Sequence, residues 1–181
     1  GAGCASGFIS WKHAVQPYVR NTGVYRCPSN SHNSAPDETK GVDKFGYAVF
    51  PISYAYNGTI IRNDLGTAAP AISEASVPEP ARYILLVESN WACSDMGIWA
   101  LEVQSKSWGL KTGFFVHSTR QMQALYFDGH ARSTKFSQTL GTNNDDQQWT
   151  WLASPINRYN DVNLARKGLQ TDAQIREVYG D

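Results

Sequence analysis

The stretch Gln123-Ala124-Leu125-Tyr126-Phe127-Asp128-Gly129-His130-Ala131-Arg132-Ser133-Thr134 decides the fold. Asp-Gly between two β-competent arms is among the strongest short-range hairpin signals, because a two-residue type I′ turn needs positive φ at both central positions. Pairing outward from a turn at Asp128-Gly129 sets Phe127 opposite His130, Tyr126 opposite Ala131 and Leu125 opposite Arg132. The turn alone accounts for Asp128 and Gly129. His130, one residue beyond it, can stack on Phe127 or reach the Asp128 carboxylate. His117 lies at the end of the preceding expected strand, where a meander brings it toward the hairpin. A metal site there needs a third ligand that the spacing does not supply, so the reading of these residues is structural.

Upstream of the hairpin, Gly97 to Val103 and Gly113 to Val116 read as strands. Tyr83-Ile84-Leu85-Leu86-Val87-Glu88 is a continuous apolar run that suits a central strand covered on both faces. Phe45 to Asn57, rich in aromatic and β-branched residues but broken by Pro51, reads as an extended segment or edge strand. Asn57-Gly58 is a turn signal, and Asn57-Gly58-Thr59 is formally a sequon, which makes Asn57 a glycosylation candidate.

Nearer the start, Trp11, Ala14, Val15, Tyr18 and Val19 have the spacing of one helix face, with Ser10 as N-cap. Pro17 suits only a short helix, which Asn21-Thr22-Gly23 ends. Val24 to Cys27 then leads extended into Pro28, and 29–44 is a polar surface loop. Downstream, Asn160-Asp161 caps an expected helix over Val162 to Lys167, closed by Gly168. Thr171-Asp172-Ala173-Gln174 has capping-box form and opens a last helix from Asp172 to Tyr179. The whole suits one globular domain, 1–181, with an N-terminal arm (1–10) and a C-terminal extension (138–181).

Composition narrows the classes of function. Sixteen basic and sixteen acidic residues give zero net charge, with no long run of either sign. A nucleic-acid partner is not expected, since nothing here grips a phosphate backbone. Charged residues make up only 18%, while there are six Trp and nine Tyr, the surface of an extracellular β-rich protein. No apolar run approaches the roughly 18 residues of a membrane span. The chain begins Gly1-Ala2-Gly3, which reads as a processed or truncated product.

Cys4, Cys27 and Cys93 are the disulfide candidates. Cys4 with Cys27 is the preferred pair, because it ties the arm to the Cys27-Pro28-Ser29 loop; Cys27 with Cys93 is the rival, and three buried thiols are the bland alternative. Asn143, Asn144, Asp145 and Asp146 form the best oxygen-ligand cluster and the one candidate calcium site, though without the spacing of a helix-loop-helix calcium loop. The favoured reading is a solvated turn with no cofactor. No nucleophile elbow, phosphate-cradling glycine loop or helical histidine pair is present, so no enzyme is expected. Trp149 and Trp151 are candidates for a subunit contact, where Trp is enriched, and the six Trp together for a sugar-stacking face.

Several segments together resemble a known family. Trp11 with Gln16-Pro17-Tyr18-Val19-Arg20, then Val24-Tyr25-Arg26-Cys27-Pro28-Ser29, is similar to the "W…PYV…VFRCPS" pattern of bacterial prepilin-like proteins. Ile52 to Asn57 resembles their "SYAYN" segment, and Val77 to Leu86 their "P…A…ILL" strand. His117 through Asp128-Gly129-His130 resembles the H-x9-DG signature of the prepilin-type processing-associated family, with ten residues rather than nine before Asp128. The family's apolar N-terminal helix is missing, and 138–181 has no counterpart in its pattern.

The resemblance implies an α+β, pilin-like head: a short N-terminal helix packed on an antiparallel sheet, followed here by short C-terminal helices. It implies export to the cell surface, no cofactor, membrane contact only through the missing helix, and structural roles for His117, Asp128, Gly129 and His130. The expected function is a structural subunit that packs with copies of itself, head to head, into an extracellular filament, tube or pseudopilus. A minor pseudopilin of a type II secretion-like system and a secreted carbohydrate-binding module are the alternatives.

Overall fold

A computed structural model describes residues 11–30, 50, 53–60, 72–89, 95–96, 117, 121–141 and 146–151. Helix α1 spans Trp11–Val19, and the strands are β1 (Tyr54–Asn57), β2 (Ile84–Glu88), β3 (Asp95–Met96), β4 (Met122–Tyr126) and β5 (Ala131–Thr134). A single helical turn, α2 (Phe136–Thr139), follows. The sheet order is β3-β1-β2-β4-β5; β3 is parallel to β1 and every other pair is antiparallel. The architecture is therefore a helix with a small, mainly antiparallel sheet, loosely α+β.

The apolar run at Ile84–Glu88 occupies the middle of the sheet between β1 and β4, where both edges of its backbone are paired. A register shift between Ile84 and Leu86 breaks its alternation. Ile84 and Val87 are buried on either side of it. β1 is not an edge strand as expected, since β3 covers its outer side. The expected strands at 97–103 and 113–116, the loop at 31–44 and the helices beyond 152 lie outside the described residues, as does Ser10.

The central hairpin forms with a register one residue away from the expected one. Leu125 pairs with Ala131 and Ala124 with Arg132, and the Tyr126 N–H donates to the His130 carbonyl at 2.9 Å. The loop thus holds Phe127, Asp128 and Gly129. Gly129 has φ 89°, whereas Asp128 keeps negative φ. A three-residue loop with glycine in the left-handed position replaces the type I′ turn. The cause is tertiary: the Phe127 N–H donates to the Tyr83 carbonyl (3.1 Å) and the Asp128 N–H to the Pro80 carbonyl (3.3 Å). A slip of one residue exchanges the faces of every β5 side chain.

α1 has the expected extent but a different buried face. Lys12 is 2% exposed and Tyr18 is 87% exposed. The first turns pack on aromatic partners: Trp11 lies edge-on to Tyr25 and His13 edge-on to Phe50. The Tyr25 hydroxyl donates to the Lys12 carbonyl at 3.3 Å, and the Lys12 ammonium sits 5.5 Å from the Trp11 ring. These contacts fix the roll of a helix too short to choose its face by periodicity. The segment after it is a 3-10 turn, Thr22–Tyr25, rather than extended, because the Asn21 side chain accepts from the Gly23 N–H at 2.9 Å.

Residues 138–151, expected as an appended extension, are woven into the core as far as they are described. Phe136, Leu140 and Trp149 are fully buried; the Trp149 indole N–H donates to Thr139 Oγ1 at 2.9 Å, and Ile84 N–H to the Gln148 carbonyl at 2.9 Å. The crossing is close at Gly141, whose φ is +62° and where an added Cβ would lie 2.6 Å from the Asp146 carbonyl carbon. Gly141→Ala is expected to lower stability by about 2 kcal/mol, from left-handed strain and overpacking together. Urea unfolding checks this, and an unchanged midpoint contradicts the crossing.

Candidate metal centre

Three segments far apart in sequence place side chains at one point. Cys27 follows the 3-10 turn and opens a reverse turn, Cys27-Pro28-Ser29-Asn30, in which the Asn30 N–H donates to the Cys27 carbonyl at 3.0 Å. Proline at the second position presets that turn. Asn30, itself buried, anchors it by donating from Nδ2 to the Ser89 carbonyl (3.1 Å) and toward Ser53 Oγ (3.4 Å). Ser89 N–H donates in turn to the Ser53 carbonyl, so the turn is held against the end of β2 and the start of β1.

That anchoring sets Cys27 beside Glu88, the last residue of β2, which is 1% exposed. The Glu88 carboxylate accepts the Gln123 N–H at Oε2 (3.0 Å) and lies 2.9 Å from His117 Nε2 at Oε1. The same Nε2 is 3.8 Å from Cys27 Sγ. One sulfur, one carboxylate oxygen and one imidazole nitrogen therefore lie within 4.8 Å of each other. Cys27 and Glu88 are buried, while the His117 side chain is 29% exposed.

Burial is the main cause that pushes the Cys27 thiol up from its ordinary pKa, and the Glu88 carboxylate adds to it. Backbone N–H groups of Ser29 and Asn30 act the other way by donating to the sulfur. Burial likewise raises Tyr54, which pairs with Glu88 across β1 and β2. A nucleophilic cysteine needs a depressed pKa and an imidazole that faces the thiol with one nitrogen and the acid with the other. Here one nitrogen faces both. Sulfur and carboxylate oxygen share that nitrogen, at 3.8 Å and 2.9 Å.

The hairpin residues are elsewhere. His130 stacks on Tyr126 (4.3 Å, 7°) rather than on Phe127. Its Nδ1 lies 2.6 Å from Asp128 Oδ1, which also accepts the His130 N–H at 3.1 Å; that backbone bond is the first cause of the lowered Asp128 pKa. His117 thus joins Cys27 and Glu88, not the hairpin tip. Glu88 is the residue that sequence reading missed, and its one signal was a carboxylate closing an otherwise apolar strand.

Other expected sites resolve differently. Cys27 is buried, and Cys4 and Cys93 lie outside the described residues, as do both expected pairings. Asn57 is fully buried, with Nδ2 donating to the Ile84 (2.7 Å) and Trp149 (2.8 Å) carbonyls and Oδ1 accepting from the Thr59 N–H (3.0 Å). Its amide is committed inside the core and is not a glycan acceptor in the folded chain. Trp149 is core and not a subunit or sugar contact, whereas Trp151 is half-buried against Tyr83 and Phe127. Of the calcium candidates, Asp146 is exposed in a turn and Asn143, Asn144 and Asp145 lie outside the described residues. Among the described residues no helix is long and apolar enough to cross a membrane. Comparison with known protein families, with curated proteins and with solved structures found no match to this chain.

Proposed function

We propose that the chain is the head of a pilin-like structural subunit that packs against copies of itself in an extracellular filament, tube or pseudopilus. The observation that carries the reading is an apolar groove of about 500 Å³ between α1 and the sheet, lined by Trp11, Val15, Val19, Val24, Leu86 and Leu125. Val19 and Val24 are 38% and 48% exposed, and Tyr18 beside them is 87% exposed. Apolar surface of this kind is stabilised by covering it.

A second copy suits the groove on electrostatic grounds. With sixteen charges of each sign the chain carries no net charge, so copies approach without long-range repulsion. The segments that resemble the prepilin-like pattern also meet in space: the Cys27 turn, β1 and the hairpin strand β4 all contact β2 or its end. Such a head contributes contacts rather than chemistry.

Electron microscopy of the native material from the producing cells tests the reading. Regular polymers are expected, and Tyr18→Glu with Val24→Glu should reduce their yield at least ~10-fold, since each charge removes a buried apolar contact. Circular dichroism of the variant should be unchanged, because both residues are on the surface. Dispersed particles from the native chain contradict the polymer, and undiminished polymers from the variant contradict the groove as its contact.

A further inference from the structure

We propose that Cys27, Glu88 and His117 form a three-ligand site for a divalent transition metal ion of the zinc type, with a fourth position open toward solvent on the His117 side. The inference stands independently of the assembly reading. It rests first on the donor set: a sulfur, an imidazole nitrogen and a carboxylate oxygen are the three ligand types that zinc accepts, and three protein ligands with one open position is a recurring arrangement for it.

The spacing fits. An ion with zinc bond lengths in tetrahedral geometry holds its ligand atoms about 3.4–3.6 Å apart. That is about 3.6 Å from sulfur to nitrogen and about 3.4 Å from nitrogen to oxygen; the observed separations are 3.8 Å and 2.9 Å, with the sulfur and the carboxylate oxygen within 4.8 Å of each other. Opening the nitrogen–oxygen separation by about half an ångström would seat the ion. An oxygen-only cation such as calcium or magnesium has no use for the sulfur, which sets the selectivity.

The surroundings are those of a supported ligand set. Glu88 Oε2 is held by the Gln123 N–H, which leaves Oε1 directed at the centre. The sulfur receives backbone N–H groups from Ser29 and Asn30, and such donors disperse the charge of a thiolate. Asn30 locks the turn that carries both donors to Ser89. On binding, the Cys27 thiol proton leaves to solvent, and the ion takes the sulfur, Oε1 and Nε2 of the neutral imidazole that carries its proton on Nδ1, with no change of oxidation state. An isolated carboxylate buried at this depth is costly, and a divalent ion at 2 Å offsets that cost more fully than one imidazole.

Cobalt titration of the full chain, stripped beforehand with a chelator under reducing conditions, provides the test. One equivalent of Co²⁺ should produce a thiolate-to-cobalt charge-transfer absorption, and Zn²⁺ should abolish it by displacement. Cys27→Ser should eliminate the absorption, while Glu88→Gln and His117→Gln should each weaken binding at least ~10-fold. His117 is partly exposed, so its variant retains the fold even where the Glu88 variant does not. Zinc should also raise the melting temperature of the native chain but not of His117→Gln. An absorption that survives in Cys27→Ser, binding undiminished in His117→Gln, or no absorption in the native chain overturns the proposal.

Discussion

Trp149→Ala is expected to lower the stability of the chain by about 3–5 kcal/mol, the loss typical of a buried tryptophan truncated in a packed core. The residue has no exposed surface, its ring lies edge-on to Phe136 at 5.9 Å, and its indole N–H is bonded to Thr139. The site cannot collapse easily, because the neighbouring backbone is pinned: Gln147 Oε1 accepts both the Trp149 (2.6 Å) and Thr150 (2.9 Å) N–H groups, and Gln147 Nε2 donates to the Thr150 carbonyl. Urea unfolding checks the value. A loss under about 1 kcal/mol would place Trp149 on the surface, where a subunit contact would again be open to it. Deleting 138–181 is for the same reason no clean probe of assembly, since it removes part of the core.

Asn57→Leu is expected to cost roughly 2–4 kcal/mol despite its similar volume, because it removes two donors and one acceptor in a buried place. The Ile84 and Trp149 carbonyls each lose the Asn57 amide, and the Thr59 N–H loses its Oδ1. These bonds join the end of β1 to β2 and to the segment after α2. Asn57→Asp should be no better tolerated, since a carboxylate cannot donate to either carbonyl. The measurement is chemical unfolding of both variants beside the native chain. A leucine variant as stable as the native protein would show that the network is not formed.

Much of the sheet was legible because it follows from local pattern. The apolar run at Tyr83 to Glu88 suits a covered strand, and Asp128-Gly129 is a strong hairpin signal. The hairpin register was not legible, because the Phe127 and Asp128 amides are taken by Tyr83 and Pro80, whose proximity no turn rule contains. The α1 boundaries came from Ser10 and from Asn21-Thr22-Gly23, whereas its buried face depends on Tyr25 and Phe50 packing against it. Asn57 shows the limit most clearly. Its sequon and its turn position both suggest surface, and only the arrival of Trp149, 92 residues away, makes it a core residue.

The candidate centre was half legible. Cys27 and His117 stood out by residue type, but as a disulfide half and as a neighbour of the hairpin. Their separation of 90 residues hides the contact, and Glu88, 29 residues from His117, carries no local mark beyond its charge at the end of β2. Pairing of β2 with β1 and β4, together with the Asn30 anchor, brings Cys27 to Glu88, and His117 meets both through Nε2.

The most direct measurement is anomalous diffraction at the zinc edge from crystals of the chain grown with Zn²⁺. A single strong peak is expected about 2.3 Å from Cys27 Sγ, about 2.0 Å from His117 Nε2 and within about 2.2 Å of a Glu88 oxygen. A peak bound by other side chains, or Cys27 and His117 found apart on opposite sides of the sheet, would contradict the convergence from which the site is built.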